Sequence, residues 1–345
     1  MSKANSHIHQ RKQDHIQALL NDPDIERRQS GFDQLQLTHR ALPECDFNSI
    51  QTDTDFLGHQ LAFPLLISSM TGGTADNLNN INRRLAEAAE ATQTAMAVGS
   101  QRVMIEDRSA RTSFSLRQHA PTIPLIANMG AVQLNYGFGY DEAMTMIDTL
   151  QADAIYLHLN PLQEVIQPEG DKNFVDLVEK LATLSEALPV PLIIKEVGCG
   201  LSSKDIELGL SAGIQWFDVA GRGGTSWSRI ESHRTGNDAA AALGQAFQDW
   251  GLTTLQSLQQ AKPYHHQANF IASGGIRNGI EMVKSVIMGA QICGMAAPLL
   301  KPAMHSTEET VQKIDSLAQE FRTAQFLLGV QNASELFLNE DLILN

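Results

Sequence analysis

The chain has few cysteines, no excess of positive charge and no long apolar run. Its three cysteines, Cys45, Cys199 and Cys293, lie far apart and form no CxxC pair. They argue against a disulfide framework or a zinc site and are typical of reduced thiols. Lysine and arginine number 25 against 39 acidic residues, a net charge of −14. This balance argues against nucleic acid or an anionic membrane as the main partner.

Hydrophobic segments are also limited in length. No stretch reaches the roughly eighteen apolar residues of a membrane-spanning helix, and the polar N-terminus has no apolar signal region. We therefore expect a cytoplasmic protein. Hydrophobic residues make up 43% of the 345 positions, enough for a large buried core. No low-complexity linker or short-period repeat divides the chain.

Short apolar runs alternate with helix-like segments from residue 61 onward. Continuous apolar runs are typical of parallel strands that are buried on both faces. Eight such runs, each followed by a helical segment, predict an α/β protein with a (β/α)8 TIM barrel. The predicted strands are 61–70, 94–100, 124–130, 152–160, 191–198, 216–221, 269–273 and 292–296. The predicted helices are 79–92, 107–119, 140–150, 174–188, 203–212, 243–261, 280–288 and 307–328.

This pattern also divides the chain into regions. We expect one domain over 1–345, whose barrel occupies 61–300. Residues 1–60 would form an N-terminal arm and an extension, with strands and turns and a possible hairpin closing the bottom of the barrel. Residues 301–345 would form a C-terminal helical tail. We expect the 1–30 arm and the 223–238 loop to become ordered on ligand binding, because both are polar and lack apolar periodicity.

A glycine pair follows the seventh predicted strand in the sequence NFIASGGIRNG. Gly274 and Gly275 would let backbone N–H groups approach a phosphate, and the following helix would add a favourable dipole. Arg277 would supply a cation on the same turn. A glycine pair alone can also make only a tight turn. The position after the seventh strand favours a phosphate, because barrels often bind phosphate there.

Polar side chains and glycines end the other predicted strands too. Catalysis in such barrels takes place at the carboxyl ends of the strands. Lys195 lies in the apolar run LIIKE and needs an acceptor or anionic partner, which predicts Schiff-base chemistry or a cofactor contact. Neither a Ser-His-Asp set nor a cluster of metal-binding histidines is evident. The strand-end residues are Ser69-Met70-Thr71-Gly72-Gly73, Ser100-Gln101, Asn128, His158, Asn160, Lys195, Gly223-Gly224-Thr225, Gly274-Gly275 and Ala296-Ala297.

Two further segments carry candidate ligand-binding residues. Alternation in LHLN predicts that His158 and Asn160 point into the barrel interior. Gln163 and Glu164 would enter a loop above the mouth, which is the opening of the barrel at the carboxyl ends of its strands. One carboxylate together with water and phosphate oxygens is a usual Mg²⁺ arrangement, although a single glutamate is often only solvated. The adjacent pair Arg11-Lys12 is either a solvated basic face or an arm that covers the mouth and neutralises a phosphate.

Eight motifs in order resemble the type II isopentenyl diphosphate isomerases, from Arg11 to Leu300. They are RKQDHI, SSMTGG, AVGSQR, ANMG, LHLNPLQE, KEVGCG, AGRGGTSW and ASGGIRNG. The resemblance implies a (β/α)8 barrel that interconverts isopentenyl and dimethylallyl diphosphate in isoprenoid biosynthesis. It also implies reduced FMN, Mg²⁺, NADPH as the flavin reductant, and a homo-oligomer that is a tetramer or octamer.

The resemblance also assigns residues to roles. Glu164 would bind Mg²⁺, Lys195 would stabilise the anionic reduced flavin, and Gln163 would orient the substrate or relay a proton, with His158 beside them. The implied substrate-binding residues are Arg11, Lys12, His158, Asn160, Gln163 and Trp227. The implied FMN contacts are Ser69, Met70, Thr71, Gly72, Ser100, Asn128, Lys195, Thr225, Gly275, Ile276, Arg277, Ala296 and Ala297. Because no pair of acids or cysteines is evident at the strand ends, the flavin itself is the expected acid and base.

Three other interpretations stay open at this stage. An FMN-dependent hydroxy-acid oxidase needs a histidine base after the sixth strand, but the sequence there is AGRGGTSW. An enzyme similar to IMP dehydrogenase needs a catalytic cysteine, and Cys199 follows the fifth strand, which is the wrong one. A scaffold that only binds FMN would not need the full set of polar strand ends.

Overall fold

The computed structural model describes residues 14–15, 17–19, 21–27, 29–70, 76–235 and 237–344, except the side chains of 76–78. Eight parallel strands close into a barrel in the order β10-β3-β4-β5-β6-β7-β8-β9, and an antiparallel hairpin, β1-β2, precedes them. The predicted (β/α)8 barrel is confirmed. The strands are β1 (Thr54–Phe56), β2 (His59–Leu61), β3 (Leu65–Ile67), β4 (Ala95–Ala97), β5 (Leu125–Gly130), β6 (Ala154–Leu159), β7 (Leu192–Glu196), β8 (Trp216–Asp218), β9 (Asn269–Ser273) and β10 (Ile292–Met295).

Helices surround the barrel and follow its strands. Their apolar faces cover the outer side of the sheet, where strand residues such as Leu65, Leu157 and Ile194 are buried. The helices are α1 (Asp76–Thr92), α2 (Arg102–Glu106), α3 (Tyr140–Leu150), α4 (Pro161–Ile166), α5 (Leu177–Ala187), α6 (Ser203–Ser211), α7 (Trp227–Ser232), α8 (Asp238–Ala246), α9 (Thr254–Ala261), α10 (Gly279–Ile287), α11 (Ala297–His305) and α12 (Thr307–Leu328).

Several predicted helices were wrong in their extent. The helix predicted over 243–261 is two helices, α8 and α9, because Gly251 between them adopts φ +113°. The helix predicted over 107–119 is the short helix α2 followed by a 3₁₀ segment, Arg108–Phe114. The connection predicted over 223–238 contains helix α7. The N-terminal extension, which was predicted to contain strands and turns, also has a 3₁₀ turn, Phe32–Gln34.

The hairpin β1-β2 closes the N-terminal end of the barrel. Phe56 and Leu61 are each 1% exposed and belong to the interior cluster with Leu66, Ile193 and Ile271. The ring of Phe56 makes an edge contact with Trp216, with centroids 5.3 Å apart. The predicted hairpin at the barrel bottom is therefore confirmed, and apolar side chains fill this end of the interior.

Polar side chains occupy the interior at the opposite, carboxyl end. The parallel register pairs His158 of β6 with Lys195 of β7, and Lys195 with Asp218 of β8. Paired residues of neighbouring parallel strands point to the same side of the sheet, so these side chains form one layer above the apolar floor. No helix in the described part of the chain is long and apolar enough to cross a membrane.

Candidate active site

Asn128 fixes the histidine of the polar layer. Its amide oxygen lies 2.8 Å from Nδ1 of His158, and its amide nitrogen donates to Ser69 Oγ at 2.9 Å and to the Val98 carbonyl at 2.9 Å. The amide oxygen accepts, so Nδ1 is the protonated nitrogen in the neutral ring. Three residues predicted from separate strand ends, Ser69, Asn128 and His158, are thus connected.

Lys195 lies in the centre of the layer and is only 6% exposed. Its ammonium donates to Asp218 Oδ2 at 2.7 Å and to Ser273 Oγ at 3.1 Å. The nitrogen also lies 5.4 Å from the centre of the Tyr156 ring. The expected partner of the buried lysine is therefore present, and it is Asp218, which the sequence interpretation did not include.

Glycines bring the turns after β8 and β9 into close contact. A Cβ added to Gly224 would lie 2.8 Å from the Gly275 nitrogen and 3.6 Å from a guanidinium nitrogen of Arg277. Gly275 itself has φ +82°, in the left-handed region that favours glycine. Helix α11 begins at Ala297, directly after the last barrel strand. The turns after β8 and β9 therefore pack against each other, and the neighbouring strand β10 leads into the start of a helix.

Glu26 connects two predicted FMN contacts, Thr225 and Arg277, and was missed from sequence. Its carboxylate accepts a hydrogen bond from Thr225 Oγ1 at 2.5 Å and pairs with the guanidinium of Arg277. The Arg27 N–H donates to the Gly224 carbonyl at 3.0 Å, and the Ser226 N–H donates to the Ile25 carbonyl at 2.9 Å. The N-terminal segment thus lies directly on the turn after β8.

Asn160, Gln163 and Glu164 lie at the start of a helix. The prediction that Gln163 and Glu164 enter a loop was wrong, because Pro161 begins helix α4. The Asn160 amide nitrogen donates to Gln163 Oε1 at 3.1 Å and to Glu164 Oε1 at 2.9 Å. The backbone N–H of Asp171 donates to Glu164 Oε2 at 2.7 Å. The amide oxygen of Asn160 is buried and has no hydrogen-bond partner.

A second acidic residue of the mouth, Glu231, was also missed from sequence. It is fully buried in helix α7 and accepts from Gln163 Nε2 at 2.9 Å, from Arg234 at 2.6 Å, and contacts His15 Nε2 at 3.1 Å. Burial raises the pKa of Glu231, but hydrogen bonds from His15 and Gln163 and the charges of His15 and Arg234 lower it further, to about 2. Glu231 is therefore ionised at neutral pH.

Trp227 lies between His15 and a narrow cleft. Gln163 and Thr225 line the same cleft, together with Glu196 from the end of β7. Burial raises the pKa of Glu196 to about 7, although the backbone N–H groups of residues 197–199 donate to its carboxylate. The cleft therefore joins residues of three different strand ends.

The remaining predicted residues are less informative. Met70 and Ser100 are half-buried at the ends of β3 and β4, and Ile276 is buried beside Arg277. Ala296 precedes helix α11. Arg11, Lys12, Thr71 and Gly72 lie outside the described residues, so their predicted contacts stay predictions.

Asp22 attaches the N-terminal segment to helix α7 through a partly buried ion pair. Its carboxylate accepts from Arg229 at 2.7 and 3.1 Å and lies 2.7 Å from His233 Nε2. The hydrogen bond from Arg229 is the main reason that the pKa of Asp22 falls from 3.8 to about 2, against the effect of burial. A lowered carboxylate pKa adds stability above the unfolded value, and this stability is lost as pH falls through the folded value.

We therefore expect Asp22→Asn to lower the free energy of unfolding by about 1–2 kcal/mol at pH 7, after allowance for solvent screening. Denaturation with urea at pH 7, 4, 3, 2.5 and 2 measures the difference between variant and native protein. The difference should shrink below pH 4 and approach zero near pH 2. The matched control is Asp148→Asn, at an exposed carboxylate on helix α3. A difference that stayed constant to pH 2.5 would contradict this account.

Similarity to known proteins shows the general class of protein to which this chain belongs. A model of the FMN-dependent dehydrogenase family matches residues 4–121 and 107–343. A flavocytochrome b2 variant with sulfite bound aligns with TM-score 0.65 and 16% identity, over 92% of this chain and 78% of its own. An oxidised active mutant of (S)-mandelate dehydrogenase aligns with TM-score 0.65 and 15% identity, over 92% and 90%. The protein is a barrel of the FMN-dependent dehydrogenase type.

Relatives of much higher identity define the family within this class. They are named isopentenyl-diphosphate delta-isomerase and come from Hydrogenovibrio crunogenus, with 69% identity over 99% of both chains, and from Paracoccus zeaxanthinifaciens, with 58% over 98% of this chain and 97% of its own. A relative with the same name from a Nostoc species is 44% identical over 94% and 93%. The chain belongs to the type II isopentenyl-diphosphate delta-isomerase family, as its motifs predicted.

Proposed function

We propose that this protein catalyses the reversible conversion of isopentenyl diphosphate to dimethylallyl diphosphate, with reduced FMN and Mg²⁺. The observation that carries the proposal is the similarity to isomerases along almost the whole chain, at 69% identity. The polar layer and the phosphate-side turns described above supply a site of matching chemistry.

The residues present fit FMN. The close approach of Gly224 to Gly275 leaves no room for a side chain. Glycine turns of this kind at the carboxyl end of a barrel suit a phosphate, because backbone N–H groups can approach it closely. The buried Oγ of Ser68, next to the end of β3, has no hydrogen-bond partner. Two N–H groups of Lys195 are used by Asp218 and Ser273, so the third can donate to the polar edge of a bound ring.

The residues present also fit a magnesium ion that is bound partly through the substrate. The described residues contain no group of three or more His, Cys, Asp or Glu side chains that could hold a metal alone. Glu164 and the partnerless amide oxygen of Asn160 offer two oxygen ligands at one helix start. Mg²⁺ commonly takes one or two protein oxygens and completes its octahedron with water and phosphate oxygens.

The chain would bind its substrate mainly through the diphosphate. Allylic isomerisation needs one proton added and another removed two carbons away, and the hydrocarbon offers few polar groups for binding. Arg11, Lys12 and the Mg²⁺ on Glu164 would hold the diphosphate, and this binding energy would position the alkene at the reacting centre. Bound reduced FMN supplies the acid and base for these proton transfers.

Protein groups around the reacting centre would set charge and orientation. Lys195 would stabilise the negative charge of the reduced flavin. His158, held by Asn128, and Gln163, held by Glu231, would orient the substrate, with Gln163 able to relay a proton. Trp227 would cover the hydrocarbon. We also propose that NADPH reduces the flavin. The protein would work in the cytoplasm as a homo-oligomer, either a tetramer or an octamer.

Product analysis in deuterated water tests the function directly. The protein is loaded with FMN, reduced anaerobically with dithionite, and mixed with Mg²⁺ and isopentenyl diphosphate. We expect deuterated dimethylallyl diphosphate by NMR with reduced flavin and none with oxidised flavin. The control omits Mg²⁺ and adds a chelator, and we expect most of the rate to be lost. Absence of product, together with flavin reduction by a 2-hydroxy acid, would refute the proposed isomerase activity and favour that of an oxidase.

A further inference from the structure

Asp218 is a fully buried carboxylate at the centre of the barrel interior, with 0% exposure. Oδ2 accepts from Lys195 Nζ at 2.7 Å and from the Tyr156 hydroxyl at 2.8 Å. Oδ1 accepts from Ser273 Oγ at 2.5 Å and from the Ala220 N–H at 3.2 Å. A buried carboxylate is costly unless it is paired and hydrogen-bonded, so this complete set of donors indicates a built site.

The donors come from different strands and converge on one group. Tyr156 lies on β6, Lys195 on β7 and Ser273 on β9, while Asp218 ends β8. Burial, and then the neighbouring charge of Asp218, raises the pKa of Tyr156 well above its usual value, so its hydroxyl remains a proton donor. Ser273 Oγ accepts from Lys195 and donates to Asp218, which closes a ring of three hydrogen bonds.

We propose that Asp218 is the positioning residue for Lys195: it fixes the ammonium in place and balances its charge at the site where the flavin would bind. This inference rests on the proposed function, since it takes FMN as the group that receives the third N–H of Lys195. Tyr156 and Ser273 act one step further away, because they hold the carboxylate of Asp218. The negative charge of Asp218 also limits how strongly Lys195 favours the reduced, anionic flavin.

Asp218→Asn tests the charge. The amide has nearly the same shape, but it removes one negative charge and turns an N–H₂ toward groups that are themselves donors. We expect the ratio of FMN dissociation constants, oxidised over reduced, to rise about tenfold, which corresponds to about +30 mV for this two-electron couple. Because the ammonium is no longer held, kcat should fall about ten- to hundredfold while KM changes less than about threefold.

Tyr156→Phe is the matched variant that loosens Asp218 without a change in charge. Phenylalanine fits the same volume, so the protein should fold. We expect kcat to fall about threefold to tenfold, and the ratio of oxidised to reduced FMN affinity to stay within about twofold of the native protein. If Asp218→Asn does not fold, Tyr156→Phe combined with Ser273→Ala takes its place, with a larger fall in kcat and again an unchanged affinity ratio.

The two FMN dissociation constants, kcat and KM are measured for each folded variant. An affinity ratio and a kcat equal to those of the native protein in Asp218→Asn would overturn the inference, as would native kcat in the Tyr156, Ser273 double variant. A native protein that binds FMN but does not isomerise would refute the proposed function alone. In that case the rise in the affinity ratio in Asp218→Asn still tests the role of Asp218.

Discussion

Lys195→Ala should lose about a thousandfold of the isomerase rate in the FMN-loaded enzyme. The ammonium is the one cation within the polar layer formed by His158, Lys195 and Asp218. In the proposed mechanism the reduced flavin would then lose its electrostatic partner, and the variant should also favour the oxidised form of the cofactor. Steady-state turnover at saturating Mg²⁺ and substrate, together with the midpoint potential of bound FMN, measures both effects.

The same substitution leaves Asp218 as a buried charge without its counter-ion, which should cost about 3–5 kcal/mol of stability. The double variant Lys195→Ala with Asp218→Asn separates stability from catalysis. It removes both charges, so much of the stability should return while the rate stays low. Lys204→Ala, at a lysine whose side chain is 72% exposed, serves as the control. A Lys195→Ala protein that binds FMN and isomerises at the native rate would exclude the proposed role.

Gly224→Ala is expected to weaken FMN binding by about a hundredfold or more. Its new Cβ would lie 2.8 Å from the Gly275 nitrogen, closer than a real Cβ approaches backbone, so the two turns would have to separate. This separation would disturb the two turns where we propose that the FMN phosphate binds. Loss of two charge-assisted hydrogen bonds at about 1.5–3 kcal/mol each accounts for the size of the effect.

Fluorescence titration of the apoprotein with FMN, and in parallel with riboflavin, measures this prediction. Riboflavin lacks the phosphate, so its weaker affinity should change much less in the variant. Gly139→Ala is the matched control, because a Cβ there has nothing within 4 Å and the backbone φ is −159°. An equal loss of affinity for both flavins would place the defect in the ring site instead of the phosphate turns.

The barrel itself could be predicted from sequence because each of its strands is a continuous apolar run. Segments 124–130 and 269–273 were located to within one residue of β5 and β9. The start of helix α4 and the break between helices α8 and α9 were mispredicted, although the sequence contains typical markers of both. Pro161 after Asn160 is a typical helix start, and Gly251 inside an otherwise helical pattern is a typical helix end.

The ionic contacts of the site could not be predicted in the same way. Glu26 lies 199 positions from Thr225 and 251 from Arg277 along the chain, so no spacing or period connects them. Glu231 belongs to a six-residue helix within a polar connection, where an acidic side chain is usually solvated. Asp218 could have been predicted more easily, because a carboxylate in the apolar run WFDVAG needs a buried partner, as Lys195 does in LIIKE.

The hairpin at the bottom of the barrel determines how ligands can enter and leave the site. Because Phe56 and Leu61 fill the N-terminal end of the interior, a ligand can reach the polar layer only from the carboxyl end. Cofactor and substrate therefore share one entrance, and the one that binds closer to the apolar end of the interior has to enter first. A finished product leaves by the way the next substrate comes in, so departure and arrival are successive events and cannot overlap.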